Sequence, residues 1–326
     1  DNCQLTGLGH TSGGMSGDFF PVGSSNVTWT ATDAAGNTNT CLFNITVADI
    51  QLPSITCPAQ QTRTTDPNTC TAATTYAPVA SDNCMSVAPS VSFQFSGAST
   101  TAGYQAGTGS GSAFNKGITT VTLRATDAAG LTRTCTFRVV VTDGQAPTFT
   151  LCPGNQSVST SPTGCSAAAV NYATPTATDN CAPAPTVTRT SGPASGSGFP
   201  IGTTAIVWRA TDGVGRTAQC SFTITVTDNT PPTITCPPAI TATGNGTPCI
   251  ATVTYPNPTA SDNCALQSVF LQSGLVSGSN FQAGTTVNVW RATDTRGATA
   301  TCSVSVTVTC SGNRPGSDPN HAQATG

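Results

Sequence analysis

The tripeptide Asp-Asn-Cys occurs four times, beginning at Asp1, Asp82, Asp179 and Asp262. Each copy is followed by Ala-Thr-Asp, ending at Asp33, Asp127, Asp212 and Asp294, and then by a cysteine that opens an alternating stretch, at Cys41, Cys135, Cys220 and Cys302. Self-similarity at a near-fixed period means one structural unit copied in tandem. A period of roughly 80 to 97 residues is too long for a solenoid repeat and suits an independently folded β-sandwich. Each cysteine-led stretch alternates with period two, so that Cys135, Phe137, Val139 and Val141 share one face while the Thr/Arg face is solvated.

The composition agrees with an all-β chain. Only 8% of residues are charged, every acid is Asp, and Lys116 is the single lysine. Helices favour Glu, Lys and Leu, whereas this chain is stocked with Thr, Ser, Val, Gly and Pro. With 37% hydrophobic residues and a net charge of −3, the modules have enough apolar material to fold. So weak an acidity gives no electrostatic reason to expect nucleic acid or an anionic membrane as partner. No apolar run approaches the ~20 residues of a membrane span. The start has neither an initiator Met nor a signal-peptide pattern, so the chain is expected to begin at a processing site or to be part of something longer. Fifteen cysteines at repeating spacings, with no Cys/His cluster, read as a disulfide framework formed in an oxidising, extracellular space.

These landmarks divide the chain into an incomplete first module (residues 1–50), complete modules at 51–144, 145–229 and 230–310, and a polar tail, 311–326. Four cysteines per complete module permit three pairings. The first copy keeps only Cys3 and Cys41, and the simplest inference is that those two pair. Carried through the repeats, this predicts Cys84–Cys135, Cys181–Cys220 and Cys264–Cys302, leaving Cys57–Cys70, Cys152–Cys165 and Cys236–Cys249 to close short loops, with Cys310 as the odd cysteine. Each bridge would contribute about 3 to 4 kcal/mol by restricting the unfolded chain.

The recurring motifs resemble the HYR (hyalin repeat) family. They are the Pro-x-Ile-Thr-Cys-Pro opening at Pro53, the Ala-Ser-Asp-Asn-Cys corner, the Phe-x-x-Gly-Thr-Thr run at Phe199 and Phe281, the Ala-Thr-Asp-x-x-Gly turn and the Cys-x-Phe-x-Val-x-Val end. The resemblance spans residues 1 to 310 or so. It implies tandem immunoglobulin-like β-sandwiches in an extracellular or cell-surface protein, associated with adhesion and matrix and carrying no enzymatic activity. The second copy departs from the pattern, with Phe114-Asn-Lys-Gly at the turn and a Gly/Ser/Thr-rich insertion at 96–113.

Candidate sites are few. Trp29, Trp208 and Trp290, with Leu123 in the equivalent place, stand four residues before the Ala-Thr-Asp aspartate and are expected to pack in the core rather than stack on sugar. Asp33, Asp127, Asp212 and Asp294 head Asp-x-x-Gly turns, where a carboxylate caps backbone amides. Asp49, Asp143 and Asp228 precede the Pro-containing linkers and are the candidates for calcium, the one cofactor considered; turn and linker chemistry is preferred, because calcium needs six to eight oxygens. Asn26, Asn44, Asn155 and Asn245 lie in glycosylation sequons, so covalent glycans are expected partners. The only imidazoles, His10 and His321, read as solvated loop residues, and no catalytic pair emerges.

The ends suggest an assembly. The first copy lacks everything before Asp-Asn-Cys, which would leave a sandwich with a bare apolar face and open sheet edges. The expectation is a head-to-tail filament, a non-closing contact between copies of this chain, in which a neighbouring protomer completes or docks on the first module and Cys310 could add a covalent link. The alternative is a ligand- or glycan-binding stalk of a longer secreted protein, using the 96–113 insertion with Tyr104 at its tip.

Overall fold

The computed structural model describes residues 4–84 and 87–311, and every regular element among them is a β-strand. The first repeat is one antiparallel sheet, ordered β1-β2-β3, from Leu5–Ser12 (β1), Gly23–Asp33 (β2) and Thr38–Val47 (β3).

The second repeat adds what the first lacks. Its strands are Ser54–Thr56 (β4), Gln61–Thr64 (β5), Thr71–Ala73 (β6), Val79–Ser81 (β7), Ser90–Gly97 (β8), Gln105–Ala106 (β9), Ala113–Asn115 (β10), Gly117–Thr126 (β11) and Thr132–Thr142 (β12). The main sheet runs β5-β12-β11-β8-β9, with β5 parallel to β12 and the other pairs antiparallel. Two short ribbons, β4/β7 and β6/β10, supply the second layer. The alternation read from the sequence places Phe137, Val139 and Val141 inward, and they meet Ala72, Tyr76 and Phe114. Full burial of a side chain of this size is worth about 1.5–3 kcal/mol. Tyr76 spends its one polar atom well. Its ring meets Phe137 edge-on at 4.8 Å while its hydroxyl donates to the Thr108 carbonyl at 3.0 Å, and burial pushes its pKa up to about 12.

The third and fourth repeats rebuild this plan with four-stranded main sheets. In the third, Gln156–Ser159, Thr217–Thr227, Gly202–Thr211 and Thr186–Ser191 pair in that order; in the fourth, Ile240–Gly244, Thr299–Cys310, Gly284–Asp294 and Leu266–Ser273 do so. Phe114, Phe199 and Phe281 occupy the same place and are fully buried. The chain forms two compact units. One takes the residues up to Ala146 together with Asp179–Ala184 and Asp212–Arg216; the other takes Pro147–Thr178, Pro185–Thr211 and Thr217 onward.

The disulfides correct the sequence expectation. Cys57 bonds Cys135, Cys152 bonds Cys220 and Cys236 bonds Cys302, each tying the Cys-Pro segment of a repeat to its own long last strand. Cys70 bonds Cys181, Cys165 bonds Cys264 and Cys249 bonds Cys310. The expected short loops Cys57–Cys70, Cys152–Cys165 and Cys236–Cys249 therefore do not form, nor do Cys84–Cys135, Cys181–Cys220 and Cys264–Cys302. The cause is the layering. Ile55 and Cys57 share one face of the β4 segment, Cys135 and Phe137 share the inner face of β12, and both pairs belong to or pack against one core. The Asp-Asn-Cys cysteine instead stands at a repeat's end and takes the second cysteine of the repeat before it. Cys310 is not odd, because it replaces that outward partner for Cys249. Cys41 and Cys84 have no disulfide partner among the described residues, and Cys3, hence the expected Cys3–Cys41 bridge, lies outside them.

Candidate functional site

The most unusual chemistry lies where one repeat hands over to the next. At one such place the aspartate closing a repeat, the aspartate of the following Asp-Asn-Cys and the aspartate of that repeat's Ala-Thr-Asp turn come together; at the two others the first two aspartates meet the cysteine of Asp-Asn-Cys. Ligand-capable atoms of Asp228, Asp262 and Asp294 lie within 4.8 Å of one another, as do those of Asp143, Asp179 and Cys181, and those of Asp49, Asp82 and Cys84. Each group falls inside a single compact unit.

Local turns fix the carboxylates. In the fourth repeat, Asp294 Oδ1 accepts the amides of Arg296 and Ala298, each at 2.8 Å, and Asp262 Oδ1 accepts those of Cys264 and Ala265. Asp228 Oδ1 accepts the amide of Thr230 and the hydroxyl of Thr160. The third repeat does the same. Asp212 Oδ1 takes Val214 and Arg216 amides, Asp179 Oδ1 the Cys181 amide, and Asp143 Oδ1 the Gln145 amide. Each carboxylate thus spends one oxygen on the turn that the sequence motif implies.

The second oxygens are buried with no hydrogen-bond partner. This holds for Oδ2 of Asp228, Asp262, Asp294, Asp143, Asp179, Asp212 and Asp127, and for Oδ1 of Asp82. The side-chain oxygens of Asn180 and Asn263, the Asn of Asp-Asn-Cys, are orphaned in the same way, while their amide groups donate to Thr69 and to Thr160 and Ser161. Asp294 is wholly buried, Asp143 is 3% exposed and Asp228 4%. An orphaned buried acceptor costs about 1–3 kcal/mol, more when charged. The only ion pair among the described residues lies here, with Lys116 Nζ 3.7 Å from Asp143 Oδ2. At the first group, burial pushes the Cys84 thiol pKa up, and the neighbouring carboxylates of Asp49, Asp82 and Asp127 push it further.

The sequence singled out Asp49, Asp143 and Asp228, and the structure places all three in these groups. It read Asp127, Asp212 and Asp294 as turn caps alone, which accounts for one oxygen of each. The available signal was that all three aspartate series recur with the repeat.

Elsewhere, Leu123 and Trp290 are core residues and Trp208 packs against the core of its repeat; Trp29 is half-buried beside Phe20, Phe43 and Ile45 in a groove. His10 is no loop residue, for it lies in β1 and meets Trp29 edge-on at 5.8 Å. His321 lies outside the described residues. The 96–113 insertion does not hold Tyr104 out as a tip. The β9 strand pins it to the main sheet, and the Arg124 guanidinium sits 4.1 Å above the Tyr104 ring. Asn26, Asn44, Asn155 and Asn245 are all exposed, although Asn26 and Asn44 face each other across β2 and β3 and are joined by a hydrogen bond.

Architecture and staples together define a tandem array of disulfide-linked, immunoglobulin-like β-sandwiches. The HYR domain model matches residues 9–47, 48–141, 142–226 and 227–308, and the chain belongs to the HYR domain family. Hyalin of Strongylocentrotus purpuratus is 32% identical over 312 residues, covering 92% of this chain and 24% of that protein. Hyalin of Lytechinus variegatus is 33% identical over 303 residues, covering 90% and 54%. The chain thus spans between a quarter and about half of the curated relatives it matches. Among solved structures, the protocadherin GammaB4 extracellular domain aligns at 14% identity over 88% of this chain and 56% of its own, with a TM-score of 0.32. Drosophila N-cadherin EC1-4 aligns at 13% identity over 90% and 85%, with a TM-score of 0.31.

Proposed function

We propose that this chain is an extracellular structural and adhesive protein, non-enzymatic, that assembles head to tail through its first repeat. The carrying observation is the inner face of β1-β2-β3. Phe43 holds the place that Phe137 holds in the second repeat, yet it is 45% exposed against 7%. Phe20 stands where Phe114, Phe199 and Phe281 are sealed, and it is only half-buried. Among the described residues no strand pairs with the β3 edge that corresponds to the one β5 covers on β12. Oxidising surroundings follow from six disulfides, and the adhesive role from family membership.

The complete repeats act as templates for what fits this face. Cys41 corresponds to Cys135, and Cys84 to Cys181 and Cys264. The occupant is therefore the opening half of an HYR repeat, whose Cys-Pro cysteine bonds Cys41 and whose second cysteine, on the spacing of Cys57 and Cys70, bonds Cys84. Because the Cys-Pro and second cysteines of all three complete repeats are already bonded, a neighbouring molecule extends a filament by bringing this segment from sequence outside residues 1–326. The tail 312–326 lies outside the described residues, and Cys310 is engaged with Cys249, so the covalent link expected at Cys310 is replaced by links at Cys41 and Cys84. Glycans on exposed Asn155 and Asn245 would coat such a fibre without touching this face.

A second reading, a stalk in which the same polypeptide supplies the segment, is favoured by one observation: every Cys-Pro segment of this chain is already bonded. Non-reducing peptide mapping of native material, with electron microscopy, decides between them. Intermolecular bridges at Cys41 and Cys84 in continuous fibres support head-to-tail assembly. Bridges within one polypeptide, in isolated particles, establish the stalk. Both thiols free in native material would overturn completion of the first repeat altogether.

A further inference from the structure

We infer that the groove on the inner face of the first repeat is a tyrosine socket, which seats the tyrosine of an extended segment carrying a small residue opposite Phe20. The inference rests on the reading that the opening half of an HYR repeat completes this sheet, and it names the side chain by which the groove selects that half. It holds for a segment from a neighbour and for one from the same polypeptide.

The complete repeats show how such a socket is filled. Each carries one buried tyrosine, Tyr76, Tyr172 or Tyr255, shortly after a short strand of its second layer. All three are held by the same loop. The phenol hydroxyl donates to a backbone carbonyl, that of Thr108, Pro193 or Leu275. The tyrosine's backbone amide donates to the hydroxyl of the serine two residues beyond that carbonyl, Ser110, Ser195 or Ser277. The carbonyl two residues before the tyrosine, on Thr74, Val170 or Val253, accepts the amide of the next loop residue, Gly111, Gly196 or Gly278. Tyr76 and Tyr172 also meet Phe137 and Phe222 edge-on, at 4.8 and 5.1 Å. A loop carbonyl placed at the tip of the ring specifies tyrosine over phenylalanine, because without the hydroxyl that buried acceptor is left unpaired.

The first repeat has the loop side of every one of these contacts. Counted back from Phe20, Phe114, Phe199 and Phe281 without insertion or deletion, Gly14 stands where Thr108, Pro193 and Leu275 stand, Ser16 where the three serines stand, and Gly17 where the three glycines stand. The loop is already folded in the same way. The Asp18 amide donates to the Met15 carbonyl at 3.1 Å, as Ser112, Ser197 and Ser279 donate to Gly109, Ala194 and Val276. Gly17 has a φ of 95°, against 86°, 82° and 88° at Gly111, Gly196 and Gly278. Phe43 takes the place of Phe137 and Phe222. Gly14, Ser16, Phe20 and Phe43 line one groove of about 260 Å³, with Trp29 and Ile45 also in its wall. An apolar cavity of about 150 Å³ is enough to take a benzene ring. The chain's four tyrosines are Tyr76, Tyr104, Tyr172 and Tyr255, so none belongs to the first repeat.

The neighbouring strand sets the rest of the motif. Ala72, Ala167 and Ala251 pair with Phe114, Phe199 and Phe281, and the tyrosine follows four or five residues later. A segment that fits the first repeat therefore places alanine, or a residue as small, opposite Phe20 and tyrosine four or five positions on. Backbone pairing would accept many sequences; this spacing supplies the selectivity.

The test is fluorescence anisotropy of a labelled synthetic peptide covering residues 231–258, with Cys236 and Cys249 replaced by Ser so that no bridge can form, titrated with the full chain to about 1 mM. Saturable binding is expected. Tyr255→Phe in the peptide should weaken it by about two- to tenfold, the effect of one lost hydrogen bond, and Tyr255→Ala by more than about a hundredfold. In the chain, Ser16→Ala should cost about two- to tenfold. Phe43 is 45% exposed, so Phe43→Ala leaves the chain folded, and it should cost more than about tenfold in binding. Equal affinity for the tyrosine and phenylalanine peptides, binding undiminished by Phe43→Ala, or no binding at all would each overturn the socket. The two readings fail separately. Loss of the socket with Cys41 and Cys84 bridged in native material leaves completion of the repeat standing, whereas tyrosine-dependent binding with both native thiols free keeps the socket and removes completion.

Discussion

The first and second repeats carry nearly the same closing sequence and end in different states. Cys41-Leu-Phe-Asn-Ile-Thr-Val and Cys135-Thr-Phe-Arg-Val-Val-Val both alternate, and both lie in the last strand of their repeat, paired antiparallel with the strand before it. In the second repeat Val139 and Val141 are buried under the β4/β7 and β6/β10 layer; in the first, Ile45 and Val47 are only half-buried and Cys41 is exposed. The same contrast reaches the turn. Asp127 keeps one buried oxygen orphaned, whereas both oxygens of Asp33 are satisfied, one by the amides of Ala35 and Asn37 and the other by the Asn37 side chain. A period-two strand specifies which face turns inward. It does not supply the layer that makes that face an interior, nor the preceding repeat that converts a turn cap into a site.

The largest effect with which to break this comparison is covalent. Replacing Cys57 and Cys135 together by Ala removes a bridge that spans 78 residues. Chain-entropy reasoning gives a loss of about 4 kcal/mol. Replacing Cys41 by Ser should change the stability of the isolated chain by less than about 0.5 kcal/mol. Urea unfolding of the separate variants measures both, and a comparable loss for Cys41→Ser would mean that the first sheet is already stapled. Truncating the aromatic one turn of the pattern further along is the next test. Phe137→Ala should cost about 3–5 kcal/mol because it opens a cavity against Tyr76. Phe43→Ala should cost less than about 1 kcal/mol in the isolated chain, and the two should converge once the first repeat is covered.

The sequence carried the all-β class, the four-fold repeat and the inward faces, because those depend on local periodicity and on motif recurrence. It did not carry the cysteine pairing. That pairing depends on which segment of the second layer lies over which strand, a long-range fact, and the truncated first copy misled because its two cysteines take partners from different places. The facing alternation of Ile55/Cys57 and Cys135/Phe137 was the signal that could have separated the three pairings. The acidic site was half legible. Asp49, Asp143 and Asp228 stand out at the linkers, but an aspartate in Asp-x-x-Gly is fully accounted for by turn chemistry until burial reveals an oxygen left over. His10 was misread for a related reason: β1 has Gly7 and Gly9 where a strand would carry larger side chains, so its pattern is weak, and only its pairing with β2 makes it a strand.

The smallest effect isolates the turn from the site. Hydrogen bonds from the Asn37 side chain, and then from the Asn37, Ala35 and Gly36 amides, hold the Asp33 carboxyl below the usual carboxylate range. A folded pKa below the unfolded one means that Asp33 stabilises the hairpin above the unfolded pKa, and that this contribution is lost as pH falls through the folded value. Asn37→Ala removes the largest of these donors, so the Asp33 pKa should rise towards the ordinary value and acid destabilisation of the β2–β3 hairpin should shrink. Because Asp33 is solvated, the shift should diminish further in high salt. Carboxyl NMR titration of wild type and Asn37→Ala reads the shift directly.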